Sequence, residues 1–331
     1  MKNRPSDSPA SQRMSLRLLP FLLCLLLTAC RAVFPAADAA GTGSSESSTA
    51  ESTASEKAQI ALTDNTDLPE KTDLSPEDPA GLAAAISEEY GVRVLLGDDV
   101  PLVYKDYTVS CLDDPQKEAA ALRELDSTLS LYPPGFFTSV KEGYCDSITI
   151  CLAQKLHAVN DENYIESANA FTTVQDKDVW LVLNADRELE RGILIHELTH
   201  VVDYRLLGMH QLREEEWNQL NPPSFSYYNS YLDENGTDLR LSGSEEYTAL
   251  AEKDPGRVWF CDAYSKTFAM EDRARLMECL LEKNDSPKIL LSSPHIQTKL
   301  RFYFYTLRQA FGNARWPEET VWEAELHKTA P

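Results

Sequence analysis

His196-Glu197-Leu198-Thr199-His200 places two imidazoles four residues apart, with a carboxylate directly after the first. On an α-helix that interval comes back to the same face one turn later, so both rings can address a single point. Neutral imidazole suits Zn2+, and two ligands from successive turns supply two corners of a tetrahedron without ordering a loop. Glu197 then falls beside the ion, where it can reach a water molecule. Zinc lowers the pKa of such a water towards ~7, and a neighbouring carboxylate can take its proton and pass it to a leaving amine. The five residues therefore point to peptide-bond hydrolysis.

A hydrolytic centre needs a third protein ligand. Metzincin spacing would put glycine at position 203 and histidine at 206, where this chain has Asp203 and Leu206; the run Gly236-Thr237-Asp238 is one residue short of the aspartate-ligand pattern. A downstream glutamate is the natural candidate, and Glu245, Glu246, Glu271 and Glu278 all follow the motif. Glu271 pairs with Asp272 at the opening of a helix, a placement that the helix dipole alone would also favour. His157, His210, His295 and His327 have no partner at ligand spacing and read as surface or supporting residues. Asp203, one turn beyond His200, suits either orientation of a ligand imidazole or a salt bridge.

The His-Glu-x-x-His-x-x-Asp run of 196–203 and the later Tyr264-x6-Glu271-Asp272-x-Ala274 together resemble bacterial gluzincin-type metallopeptidases, related to the anthrax lethal factor catalytic domain and the secreted Pro-Pro endopeptidases. The resemblance extends over about residues 125–281 and departs from the family pattern at Arg275, where glutamate is common. It implies an α+β, zincin-like domain: a small twisted sheet, an active-site helix carrying the motif, and a mostly helical C-terminal lobe. It further implies His196, His200 and Glu271 as zinc ligands, Glu197 as the general base and then acid, and Tyr264 as the phenol that stabilises the oxyanion. Read from the residues alone, Tyr264 can equally pack in a core, and Tyr227, Tyr228 and Tyr231 form a second aromatic cluster able to line a cleft.

Several elements must position these groups. The motif lies in a helix expected over 187–207, ending against Gly208 as a left-handed C′ residue; Gly192 within it costs ~1 kcal/mol relative to alanine. Residues 193–202 are apolar nearly all round apart from the motif, so the helix is buried, and burying two histidines and a glutamate is costly unless something binds them. Before it, two β-rich runs, 170–174 and 179–183, flank a polar turn and read as a hairpin. The second run is expected beside the cleft, pairing with an extended peptide through its main chain. Further helices are expected over 81–90, 115–131 (stopped by Pro133-Pro134-Gly135) and 296–311, the last with an apolar core stripe. Extended segments are expected at 92–96 and 148–152.

The rest of the chain sets the location. Lys2, Arg4, Arg13 and Arg17 precede a short apolar run, Leu18 to Leu27, ending in Leu27-Thr28-Ala29-Cys30. That reads as a signal peptide over 1–29 and resembles a bacterial lipobox, with Cys30 lipidated and membrane anchoring through the lipid. Residues 30–79 are rich in Ala, Ser, Thr, Glu and Asp and read as a disordered tether, leaving 80–331 as the folded, extracytoplasmic domain. Among 331 residues, 43% are hydrophobic, enough for a sizeable core, while 31 basic against 53 acidic residues give a net charge of -22 that disfavours nucleic acid as a partner. Seven cysteines include Cys24 in the leader and Cys30; the remaining five are odd in number and read as mostly buried, with one bridge possible. The partner expected is a peptide or protein substrate. The rival readings are a non-catalytic surface lipoprotein binding peptide, wall component or metal, and a zinc hydrolase of wall peptides or amides.

Overall fold

Asp78 begins the first described element: its carboxylate accepts a hydrogen bond from the Gly81 N–H and caps α1 (Pro79–Tyr90). The computed structural model describes residues 78–159, 168–282 and 286–329, all within one compact unit. The expected leader, Cys30 and nearly all of the tether lie outside the described residues.

Strand β1 (Arg93–Leu95) and strand β2 (Tyr107–Cys111) precede α2 (Pro115–Leu129), which Asp114 caps by accepting from the N–H groups of Gln116 and Lys117. After the proline pair come α3 (Phe136–Lys141) and β3 (Ser147–Ala158). β3 is twice the expected length, because its second half finds an antiparallel partner in β2 while its first half runs parallel to β1 and β5. β4 (Ala170–Gln175) and β5 (Asp178–Asn184) form the expected hairpin. Asp176 and Lys177, both at positive φ (53° and 70°), make its two-residue turn, a conformation whose twist matches that of the flanking strands.

The strand order β1-β3-β5-β4 corrects one expectation. β5, the strand 179–183 expected to receive a peptide, is hydrogen-bonded on both sides, by β3 and by β4. Its backbone donors and acceptors are committed, and among the described residues the strand with an unpaired edge beside the motif is β4. Sequence periodicity distinguishes strand from helix but not inner strand from edge.

The motif helix, α4 (Arg191–Gly208), starts four residues later than expected, after an extended Glu190. Leu194, Ile195, Leu198 and Val201 are wholly buried in it, each contributing about 1.5–3 kcal/mol. Gly208 is not a left-handed cap; it remains helical, and a Cβ there would lie 2.4 Å from the Tyr144 ring. Gly192 likewise permits contact, since a Cβ would meet the Glu282 carboxylate at 2.2 Å. Both glycines are thus there for close packing, which offsets their helical cost.

After α4, the described chain is mostly helical, as expected: α5 (Glu214–Asn218), α6 (Glu245–Lys253), α7 (Ala269–Leu281), α8 (Pro294–Phe311) and a further α9 (Val321–Thr329). The architecture is α+β, with a small mixed sheet, the motif helix packed against β4 and β5 on one side and α7 on the other, and a helical C-terminal lobe. No helix among the described residues is long and apolar enough to cross a membrane.

Candidate metal centre

The α4–α7 contact brings the motif to the later carboxylate. The Nε2 atoms of His196 and His200 are 3.1 Å apart, and Glu271 Oε2 stands 3.1 Å from the first and 3.3 Å from the second. A tetrahedral ion with bonds of ~2.0–2.1 Å has donors about 3.3–3.4 Å apart, so three such atoms are close to the corners of one cage. Glu271 is buried and its Oε2 has no aligned hydrogen-bond donor. A desolvated anionic oxygen of that kind is costly unless a cation meets it. The donor set and its spacing fit zinc. Among the described residues this is the one group of three or more metal-ligating side chains that converges on a point.

The electrostatics agree. Burial opposes a charge on His196, yet the carboxylates of Glu271 and Glu278 outweigh it and raise the imidazole to about 10. Burial also opposes ionisation of Glu271, but His200 and His196 draw it well below the ordinary carboxylate range. The pocket is therefore built to hold positive charge.

Glu197, buried on the same helix, accepts a hydrogen bond of 2.6 Å at Oε2 from Thr172 Oγ1 on β4. The same hydroxyl lies 3.2 Å from the Glu197 carbonyl. Thr172 thus ties the motif to the edge strand. Tyr204, two turns further along α4 and largely buried, reaches the Thr172 carbonyl at 3.4 Å. Neither Thr172 nor Tyr204 carries a sequence signal; only the hairpin's register over α4 identifies them.

Glu278, a rival candidate for the third ligand, instead faces the outer nitrogen of His196, with Oε2 3.2 Å from Nδ1. Such a carboxylate fixes the tautomer and leaves the other ring nitrogen free to coordinate. Arg275 pairs with Glu278 and also with Asp262, the latter at 2.7 Å, so the residue that departs from the family pattern ends up bracing this support. Glu245 and Glu246 lie on α6, outside the converging group.

Tyr264 lies close to the site: its ring is stacked on His196 with centroids 6.0 Å apart and planes 15° from parallel. Burial, then Glu271, keep its phenol protonated far above the ordinary range, so it is held as a donor. Tyr231 stacks on Tyr264 and donates to Glu271 Oε1 at 3.3 Å, whereas Tyr227 is turned away, bonding Asp272 at 2.7 Å, and Tyr228 is exposed.

Asp203 does not orient an imidazole. It is fully buried on the far side of α4, accepting from Arg273 Nε at 2.6 Å and Tyr303 Oη at 2.9 Å. The four remaining histidines stay outside the converging group, His295 for example stacked on Trp259.

No family model matches the sequence, and no curated protein does. A crystal structure from Bacteroides caccae, provisionally described as a zinc-binding metallo-peptidase, aligns over 78% of this chain and 94% of its own with 13% identity and a TM-score of 0.44. At those values the two backbones agree only in part.

Proposed function

We propose that the chain is a zinc-dependent metallopeptidase of the gluzincin type. The observation that carries this reading is the convergence of His196 Nε2, His200 Nε2 and an unsatisfied Glu271 Oε2, with Glu197 next to His196 in the same helix. His196, His200 and Glu271 hold the ion; zinc, when bound, supplies a Lewis acid that polarises a carbonyl and makes water nucleophilic at neutral pH.

The remaining work falls to the chain's own groups. Thr172 holds one Glu197 oxygen, which leaves the carboxylate pointing where it can accept a proton from the attacking water and deliver it to the departing amine. Tyr264, kept protonated, donates a hydrogen bond to the oxyanion. The edge of β4, unpaired among the described residues, offers main-chain groups to an extended peptide, replacing β5 in that role. Glu278 and Arg275 keep His196 in the ligating tautomer. Export as a lipoprotein anchored through Cys30, on the extracytoplasmic face of a bacterial membrane, completes the proposal and rests on the leader sequence.

The test is metal analysis of the purified chain followed by digestion of a mixed peptide pool, with and without a zinc chelator. One zinc per chain and cleavage that stops with chelator are expected. Stoichiometric zinc with no cleavage of proteins or wall peptides would instead make the chain a binding lipoprotein.

A further inference from the structure

The loop between α5 and α6 carries a phenol that the proposed chemistry leaves unused. At its near end the Tyr228 and Asn229 N–H groups donate to the carbonyls of Lys266 and Thr267, at 3.0 and 2.8 Å, which ties the loop to the approach of α7. Asn229 takes a left-handed backbone there (φ 52°), a conformation that asparagine tolerates. Two residues on, the Tyr231 carbonyl accepts from the Leu239 N–H at 2.8 Å and Leu232 bridges to Asp238, so the loop closes on itself at Tyr231.

Three neighbours hold the Tyr231 ring. Phe268 meets it edge-on at 5.0 Å between centroids, Tyr264 lies nearly parallel at 6.0 Å, and the Arg240 guanidinium sits over its face at 5.3 Å while paired with Asp238. These contacts need only a ring, and phenylalanine would make them equally. The hydroxyl does something else. It donates to Glu271 Oε1 at 3.3 Å, while Oε2 of the same buried carboxylate stands 3.1 and 3.3 Å from the two motif imidazoles.

We propose that Tyr231 is a positioning residue for the third ligand: its phenol holds Oε1 of Glu271, so that Oε2 alone is presented to the ion. The inference rests on the metal centre proposed above. A carboxylate that offers both oxygens takes two places around zinc, and one tied back by a hydrogen bond takes a single place, which keeps the fourth position of a catalytic site open. Glu278 does the corresponding service for His196, and outer hydrogen bonds of this kind orient ligating carboxylates as well as imidazoles. Tyr231 also divides the labour with Tyr264. Glu271 is among the groups that keep the Tyr264 phenol protonated, so both phenols lie near that carboxylate. With Tyr231 committed to Oε1, Tyr264 is left to serve the oxyanion.

The matched variants Tyr231→Phe and Tyr264→Phe test this in the full chain, since each keeps its ring and loses one hydroxyl. Zinc affinity is read by competition with a chromogenic chelator. Coordination is read from the visible bands of cobalt(II) placed in the same site, which weaken as the coordination number rises. Tyr231→Phe should weaken zinc about 10–100-fold and dim the cobalt bands, with the metal-free Tm as in the parent. Tyr264→Phe should keep the parent's zinc affinity and cobalt bands while lowering kcat. Unchanged zinc affinity or unchanged cobalt bands in Tyr231→Phe would overturn the inference, as would an equal loss of affinity in Tyr264→Phe. A metal-free Tm that falls along with the affinity would make Tyr231 a packing residue only. A parent chain that takes up neither zinc nor cobalt would sink the metal centre itself, and this inference with it.

Discussion

Two clusters of buried charge flank the α4–α7 contact, and they are built on opposite principles. Behind the helices, Asp203 pairs with Arg273 at 2.6 Å and Asp272 with Lys299 at 2.8 Å, one positive group for each negative one, with all four side chains wholly buried. Two nitrogens of Arg273 lack hydrogen-bond acceptors, and its guanidinium carbon lies over the Trp217 ring, 5.2 Å from the centroid. In front, Glu271 and Glu278 meet the two imidazoles, and Arg275, which pairs with Glu278, is shared with Asp262. A balanced buried cluster holds helices in register. An unbalanced one, with a carboxylate oxygen left unsatisfied, is a place for a cation. Adjacent residues of α7 divide the labour: Glu271 faces forward, and Asp272 and Arg273 face back.

The contrast can be broken from either side. The largest effect belongs to Glu197→Gln, which should retain zinc yet lower peptide turnover by ~10²–10⁴-fold, measured by kcat/KM beside metal content; unchanged turnover would remove Glu197 from the chemistry. Next comes the rear cluster. Arg273→Met leaves Asp203 buried without its cation and should cost about 3–5 kcal/mol in denaturant unfolding. Glu271→Gln should abolish the rise in Tm that zinc gives the parent, whereas Arg273→Met should keep it. If both variants abolished that rise, the two clusters would not differ in kind.

Smaller effects sharpen the picture. Glu278→Gln removes the acceptor from His196 Nδ1 and should weaken zinc about 10–100-fold without abolishing it, as read by competition with a chromogenic chelator. Loss of the metal altogether would make Glu278 a ligand instead. The smallest change lies far from the centre, at Glu323. Burial works against its ionisation, but Arg308 and Thr320 overcome that and lower its pKa from 4.5 to about 2. A depressed folded pKa contributes stability that is complete above about pH 4.5 and is lost as pH falls towards 2. Glu323→Gln should therefore lower Tm at pH 7 by a few degrees, about 1 kcal/mol after allowing for solvent screening, and the gap should close across that acidic window.

Much of this was legible in the residues. The i, i+4 histidines needed only a helix to share a face, and an apolar run with four polar interruptions at 196, 197, 199 and 200 fits a buried helix. The hairpin was legible because two β-rich stretches bracket a turn whose residues tolerate positive φ. What escaped was whatever depends on neighbours distant in sequence. Asp203 shows this well: helical spacing places it one turn from His200, but the 3.6-residue period rotates it away, to a guanidinium 70 residues later. Gly208 suggested a cap because glycine permits one, when the actual demand was room for the Tyr144 ring.

The sequence by itself determined the chemistry on offer: two candidate ligands and a candidate base on one helix, a choice among a few later carboxylates, and a hairpin ahead of them. Local periods and residue types suffice for that, since they act within a turn or a strand. Only the tertiary structure decided which carboxylate meets both imidazoles, which described strand lies at the sheet edge beside the motif, and which acids sit elsewhere. Those choices depend on how α7 and β4 dock on α4, and docking is set by burial and charge balance summed over residues that the chain separates widely.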